Sequence, residues 1–316
     1  AELAEVALRE PDRGRRRRIG RFRWCRRWSR WWSRRRAGHE DEQGDPHLGQ
    51  NSGYCACVTR PLTILGCGYV GTRLAKAALA ADRPVKVAGR STGKLAKLQE
   101  HGAVVKYLDA GIVKNIAPVC SGTSGGTVVF SIPPVTLLPP GQVIKAALQA
   151  AYGCGAECFI YFSSSGLYGA DPDDDVWIDE DTPIALDDPP MKDIGTNEEA
   201  IQQCTFDRLR VVTLRLAPVY GPGRGVRSRL DKGDYKLLDD GRHAISRIHV
   251  DDVVGAVFAA EERAETKSTF LLADDEPTTQ LAYAQWLCDR MGKSLPPSRA
   301  QLEPGKQRVA HRNRKI

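Results

Sequence analysis

No stretch of this chain reaches the roughly 18 apolar residues that a membrane-spanning helix requires, so no such helix is expected. Charge is also missing from most of the chain. The 316 residues carry a net charge of +7, yet residues 61–316 hold 31 Lys/Arg against 31 Asp/Glu. The whole excess lies in residues 1–60, with 15 Lys/Arg against 8 Asp/Glu. A globally basic nucleic-acid binder is thereby excluded, and no nucleic-acid partner is expected for residues 61–316. A paired-cysteine framework is lacking as well. There are nine cysteines, an odd number, and Cys67, Cys204 and Cys288 sit in a glycine motif or in helix-like stretches. A reducing, cytoplasmic setting fits this better than secretion. Cys55/Cys57 and Cys154/Cys158 are the close pairs, without a second Cys/His pair at zinc spacing, so no metal site is expected. What is present is ordinary for a globular protein, at 41% hydrophobic and 27% charged residues. The neutral part is long enough to bury a core of its own.

The first sixty residues read as a separate leader and linker. From Arg13 to Arg36 there are thirteen arginines and no acid, with Trp24, Trp28, Trp31 and Trp32 at helical spacing. Such a segment suits an anionic membrane surface or RNA. A dispensable, poorly ordered leader is the favoured reading, with an organelle address as the alternative to a cytoplasmic one. The acids at Glu2, Glu5, Glu10 and Asp12 weigh against a transit peptide. The chain opens on Ala1, which points to a processed product or a fragment.

Chemistry begins after Pro61. Thr63-Ile64-Leu65 is an apolar strand, followed at once by Gly66-Cys67-Gly68-Tyr69-Val70-Gly71 and then by alanines and leucines at helical spacing. A strand, G-x-G-x-x-G and a helix together form a dinucleotide fingerprint. Gly66 makes the tight turn, Gly68 lets the backbone approach a pyrophosphate, and Gly71 lets helix and strand pack closely. The first-turn amides of the helix, from Tyr69 and Val70 onward, face the phosphates. The second strand, Val85–Ala88, ends in Gly89-Arg90 with Ser91 beside it, where an NAD site would carry an acid. An arginine there suits a 2′-phosphate, so the expected cofactor is NADP, with NAD second.

Further strands are expected at 104–108, 128–131 and 158–162, alternating with helices such as 142–152. This pattern predicts an α/β protein of Rossmann type, with a doubly wound parallel sheet and a smaller C-terminal substrate-capping region. The expected division is a leader at 1–60, a nucleotide-binding domain at 61–220 and a cap at 221–316. Ligands bind beyond the carboxyl ends of such strands. That rule gathers the glycine motif, Arg90, Asp109, Ser131–Pro134 and Ser163–Ser165 around one crevice.

Five segments in order resemble the short-chain dehydrogenase/reductase superfamily, in its NAD(P)-dependent epimerase/dehydratase-like branch. They are Ile64–Gly71, Phe162–Gly169 (FSSSGLYG), Leu214–Gly223 (LRLAPVYGPG), Arg247–Val253 (RIHVDDV) and Phe270–Pro277 (FLLADDEP). The set spans roughly residues 62–297, and its glycine spacing resembles the atypical subgroup. The resemblance implies that Asp109 contacts the adenine, that Ser131 and Pro133 line the nicotinamide ribose, and that Pro218 to Tyr220 close over the nicotinamide. It also implies that His249 and Asp251-Asp252 brace the cap. Relatives continue beyond a stretch like Asn313–Ile316, so the C-terminus too reads as that of a fragment.

The resemblance fails at one place. Typical members pair a serine with a later Tyr-x-x-x-Lys, whose hydroxyl transfers a proton while hydride moves. The serine falls on Ser164, with strand-end capping as its structural alternative. The tyrosine and lysine positions fall near Ile194 and Glu198, and neither residue can do that chemistry. Tyr168 and Lys192 are the substitutes nearest at hand. A helix is expected to start after Gly195, capped at Thr196–Glu199. Gly221–Arg229 reads as a mobile loop whose arginines, Arg224, Arg227 and Arg229, are candidates for a substrate anion. The leading expectation is hydride transfer between NADP(H) and a small carbonyl or alcohol, with a small-molecule substrate and a homodimer as partners. The alternatives are nucleotide-sugar epimerase or dehydratase chemistry and a non-catalytic dinucleotide-binding subunit.

Overall fold

Apolar four- and five-residue runs buried on both faces build the centre of the molecule. The computed structural model describes residues 60–135, 137–169, 177–186, 189–238, 240–242 and 244–299. The Arg/Trp segment, Cys55, Cys57 and the tail after Arg299 lie outside these residues. The first half alternates strand and helix: β1 (Leu62–Leu65), α1 (Tyr69–Leu79), β2 (Val85–Gly89), α2 (Ala96–Glu100), β3 (Val104–Tyr107), α3 (Ile116–Cys120), β4 (Thr127–Phe130), α4 (Gln142–Gly153), β5 (Cys158–Ser164), α5 (Pro189–Gln202) and β6 (Arg210–Leu216). After β6 come β7 (Val219–Tyr220), α6 (Val226–Lys232), β8 (Leu237–Leu238), β9 (Ala244–Ile245), β10 (Ile248–His249) and α7 (Val250–Arg263). The last described elements are β11 (Ser268–Leu272), β12 (Thr278–Thr279), α8 (Gln280–Met291) and β13 (Ser298–Arg299).

Seven strands form one parallel sheet in the order β11-β6-β5-β4-β1-β2-β3. The order reverses between β1 and β4, which opens a crevice at their carboxyl ends. Every residue of β1 and β4 is buried, as expected for strands covered by helices on both faces. On one face Leu74, Ala75 and Ala78 of α1 and Val254 and Val257 of α7 pack on Ile64, Val87, Ile160 and Val212. On the other, α3, α4 and α5 bring Ile116, Ile144, Leu148 and Ile201 against Val128, Phe130, Phe159 and Val211. The sheet class and helical layers agree with the sequence reading. Strand ends move by one or two residues; β5 runs on to Ser164, so Ser163 and Ser164 belong to the ladder.

Two local expectations are corrected. The helix expected to begin after Gly195 begins at Pro189, because proline's fixed φ and missing N–H suit a first turn. Gly195 lies mid-helix, where a Cβ would stand 2.6 Å from Leu186. Thr196, instead of capping, donates its hydroxyl to the Lys192 carbonyl at 3.0 Å. The Gly/Arg stretch at 221–229 is not one loop: a tight turn holds Gly221–Arg224, and α6 starts at Val226. Arg229 is on that helix and pairs with Asp234 at 3.4 Å. A smaller cluster, with Leu230, Tyr235, Leu237, Ala284 and Leu287, joins α6, β8 and α8.

Candidate active site

The crevice begins at Gly66. Its φ of +87° lies in a region costly for any side chain, and a Cβ there would stand 2.8 Å from the Ser131 backbone. This close approach of the β1 and β4 ends is fixed further by Ser131 N–H donating to Leu65 C=O at 2.8 Å. Gly71 packs on Ile64, where a Cβ would come to 3.1 Å. At Gly68 a Cβ would meet nothing within 4 Å, so the open side of the motif faces the crevice. Tyr69, Val70 and Gly71 form the first turn of α1, whose N–H groups have no intrahelical acceptor. The cradle fits a dinucleotide: a turn only glycine makes, a bare backbone and a helix N-terminus. Cys67 is no nucleophile there, since burial, partly offset by Thr72, pushes its thiol up to about 11.

Arg90 and Ser91 follow β2 and are exposed. Asp109 follows β3; its Oδ1 accepts from Gly111 N–H at 3.0 Å, and Leu108 N–H reaches Gly89 C=O at 3.1 Å, so the β2 and β3 ends adjoin. Pro133 lines a small cavity of about 20 Å³ that reaches Asn197 of α5. Pro218 accepts from Ile248 N–H at 3.2 Å, and β7 pairs with β10 so that Tyr220 stands opposite His249. Their rings meet edge to face at 5.2 Å. His249 caps α7, its Nδ1 accepting from Asp251 N–H at 3.3 Å. Asp251 in turn takes both Nε and Nη2 of Arg73 at 2.5 and 3.0 Å. The RIHVDD segment therefore ties α7 to α1, the helix of the glycine motif. Tyr69 extends the tie: its hydroxyl donates to Pro222 C=O at 3.2 Å, and the Arg224 guanidinium sits 5.1 Å from its ring centre.

At the ends of β5 and β6 lies a buried polar network. Glu198, on α5, accepts from Ser163 Oγ at 2.5 Å and from Arg215 Nε and Nη2 at 3.0 and 2.7 Å. Arg215 Nη1 donates to the Tyr168 hydroxyl at 2.6 Å, with its guanidinium 5.1 Å from that ring centre. Tyr168, Glu198 and Arg215 are all nearly sealed from solvent, at 7, 6 and 8% exposure. Burial raises the Tyr168 hydroxyl above the ordinary tyrosine value and outweighs the lowering by Arg215. Burial alone would lower Arg215, but its bonds to Glu198 and Tyr168 raise it. Ser164 Oγ accepts from Gly166 N–H at 2.9 Å and so caps the turn Ser165–Tyr168, its own proton remaining for a further acceptor. Lys192 is exposed in the first half of α5 and is not among the partners of Tyr168; the cation there is Arg215.

Residues 62–273 match the model of the NAD dependent epimerase/dehydratase family. The chain belongs to this family. A 3-diazoavenalumate denitrifying reductase from a Streptomyces species is 31% identical over 149 residues, 44% of this chain and 47% of that protein. The match thus spans about half the length of that relative. Among solved structures, a functionally unknown conserved protein from Silicibacter pomeroyi superposes with a TM-score of 0.69 at 24% identity, over 82% of this chain and 89% of that one. A UDP-glucose 4-epimerase from Thermotoga maritima gives 0.67 at 18% identity, over 81% and 89%. A dTDP-glucose 4,6-dehydratase from Streptomyces venezuelae gives 0.67 at 16% identity, over 80% and 87%. These three share the fold.

The place where this family member lacks Tyr-x-x-x-Lys is occupied by the Glu198 network. Sequence reading held that Glu198 cannot do the lysine's chemistry and passed over its partner. Arg215 stands near the end of the largely apolar strand β6, RVVTLRL, and a charge in a buried strand was the signal. Arg73, one turn into the glycine-motif helix, was missed because an exposed-looking helical arginine is common.

Proposed function

We propose that this chain is an NAD(P)-dependent oxidoreductase, with NADP preferred, acting on a small carbonyl or alcohol. The observation that carries the reading is the Tyr168–Arg215–Glu198 network at the carboxyl ends of β5 and β6, beside a dinucleotide cradle. A lysine at position 198 would bring a positive charge to the crevice; Glu198 brings a negative one, and Arg215 offsets it. Arg215 then presents its remaining N–H to Tyr168. Because the Tyr168 oxygen already accepts from Arg215, its own proton is the one left to give. Tyr168 thus holds and delivers the proton, and Ser164 donates to the carbonyl oxygen of the substrate. Gly66, Gly68 and Gly71 with the first turn of α1 would hold the pyrophosphate, Asp109 the adenine, Arg90 and Ser91 the 2′-phosphate. Ser131, Pro133, Pro218 and Tyr220 would hold the nicotinamide end. The bound nicotinamide supplies the hydride. The name of the Streptomyces relative, a reductase, supports the same class of chemistry.

The test is binding and turnover of NADPH and NADH by the purified chain, across aldehydes and ketones. The expected result is oxidation of NADPH by at least one class, with Tyr168→Phe lowering kcat about a hundredfold or more at unchanged NADPH affinity. NADPH that binds but is never oxidised would instead establish a dinucleotide-binding subunit without this activity.

A further inference from the structure

We propose that Ser163 is a positioning residue for Tyr168, acting through Glu198 and Arg215 without touching substrate. This role rests on the oxidoreductase reading above and goes beyond it, to what tunes the proton donor. Ser163 and Arg215 are register partners in β5 and β6, so their side chains leave the same face of the sheet. Glu198 of α5 lies against that face and bonds both of them. The Ser163 hydroxyl donates to Glu198 Oε1 at 2.5 Å. Arg215 holds the same oxygen through Nε at 3.0 Å, and Oε2 through Nη2 at 2.7 Å. Its Nη1 is left for the Tyr168 hydroxyl, at 2.6 Å. The other side-chain neighbour of the Ser163 hydroxyl is Tyr161, so nothing links Ser163 to Tyr168 except this chain of bonds.

Ser163, Glu198 and Arg215 are all nearly sealed from solvent, so water does little to screen the charges among them. The charged groups facing the Tyr168 hydroxyl are Arg215 from β6, Glu198 from α5 and Glu180 from the segment at 177–186. Burial raises that hydroxyl most, Arg215 lowers it, and Glu180 and Glu198 raise it further. A hydrogen bond given to a carboxylate stabilises its charged form and spreads the charge. Ser163 thereby weakens the opposition of Glu198 and leaves more of the Arg215 charge for Tyr168. Without the Ser163 hydroxyl, Glu198 binds Arg215 more tightly, and the phenolate left after proton transfer is less stable. The docking of α5 has a second hold. Asn197, next to Glu198, donates through Nδ2 to the Tyr161 hydroxyl at 3.2 Å. Tyr161 stands two residues before Ser163 on the same face of β5, so removing the Ser163 hydroxyl leaves the helix tied to the strand.

The experiment compares the wild type with Ser163→Ala and with Ser163→Thr, which keeps the hydroxyl. In NADPH oxidation, Ser163→Ala should lower kcat by about tenfold, the worth of a hydrogen bond to a charged group, at unchanged KM and NADPH affinity. Ser163→Thr should recover most of that loss. A second measurement needs no turnover: nuclear magnetic resonance of ring-labelled tyrosine, with the Tyr168 signal assigned by its loss in Tyr168→Phe. That signal should move in Ser163→Ala and return in Ser163→Thr. Urea unfolding reports the folding of each variant. Should Ser163→Ala unfold, Ser163→Cys, which fills the same space with a weak donor, is expected to show the same fall in kcat and the same moved signal. An unmoved Tyr168 signal, a rise in KM in place of a fall in kcat, or equal losses in Ser163→Ala and Ser163→Thr would each overturn the proposal. A signal that moves and returns as expected in a chain that oxidises no NADPH would sink the oxidoreductase reading alone.

Discussion

Arg215 donates to the Tyr168 hydroxyl at 2.6 Å while its other edge closes on both oxygens of Glu198. One guanidinium thus couples the strand β6, the helix α5 and the turn after β5. Its removal would strand a carboxylate in a nearly sealed place.

Arg215→Met is accordingly expected to destabilise the fold by about 3–5 kcal/mol, because an unpartnered buried charge costs far more than a lost pair. Adding Glu198→Gln to it should recover a large part of that loss. Urea unfolding of the two variants checks this; equal stability of the single and double variants would show that Glu198 is not buried as a charge.

Arg90 follows β2 and is exposed. Arg90→Ala should weaken NADPH binding by about tenfold or more, since it removes a charge-assisted contact, and should barely change NADH binding. Fluorescence titration with both nucleotides measures the ratio. Equal losses would remove the 2′-phosphate from the account.

Gly66 and Gly68 are expected to fail in different ways. Gly66→Ala forces a side chain into a positive-φ turn and 2.8 Å from the Ser131 backbone, so a stability loss of about 2 kcal/mol or more is expected. A Cβ at Gly68 meets nothing within 4 Å. Gly68→Ala should fold with near wild-type stability and still lose nucleotide affinity, since the methyl fills space meant for the pyrophosphate. Melting curves with and without NADPH separate the two.

The buried thiols give a pH dependence with a defined sign. Burial pushes Cys67 up to about 11 and Cys120 up to about 12, from an ordinary 9.0. The unfolded chain loses these protons first, so their contribution to stability is constant below pH 9.0 and falls as pH rises through about 11–12. Denaturant midpoints at pH 7.5 and 10.5 should show the drop, and Cys120→Ala should shrink it. A midpoint that rises over this interval contradicts the burial of both thiols.

The nucleotide half of the site was legible because its requirements are local. Gly66 and Gly71 answer to backbone sterics within six consecutive residues: Gly66 takes a positive φ, and Gly71 packs on Ile64. Strands β1 and β4 were legible as apolar runs for the same reason. The polar network at the ends of β5 and β6 was legible only in part: Tyr168 and the serines after β5 were read as candidates, whereas Glu198 and Arg215 join them only through the sheet register. Glu198 read alone is an obstacle; only its distance to Arg215 turns it into a counter-ion. The helix start at Pro189 was missed by favouring capping residues near Gly195 over the Pro-Pro step.

The edge strand β11 joins β6 by parallel pairing through Leu272. During synthesis, the ladder edge of β6 therefore has no partner until the chain has passed residue 272, well after the glycine motif is in place. At roughly 5–20 residues per second on the ribosome, that open edge persists for seconds. A nascent sheet in this state is a template for strand addition from other chains. A stop codon between residues 221 and 267 is therefore more damaging than its distance from the nucleotide cradle suggests. The product would keep the glycine motif and the strands that hold it, but lack β11, which covers the edge of β6.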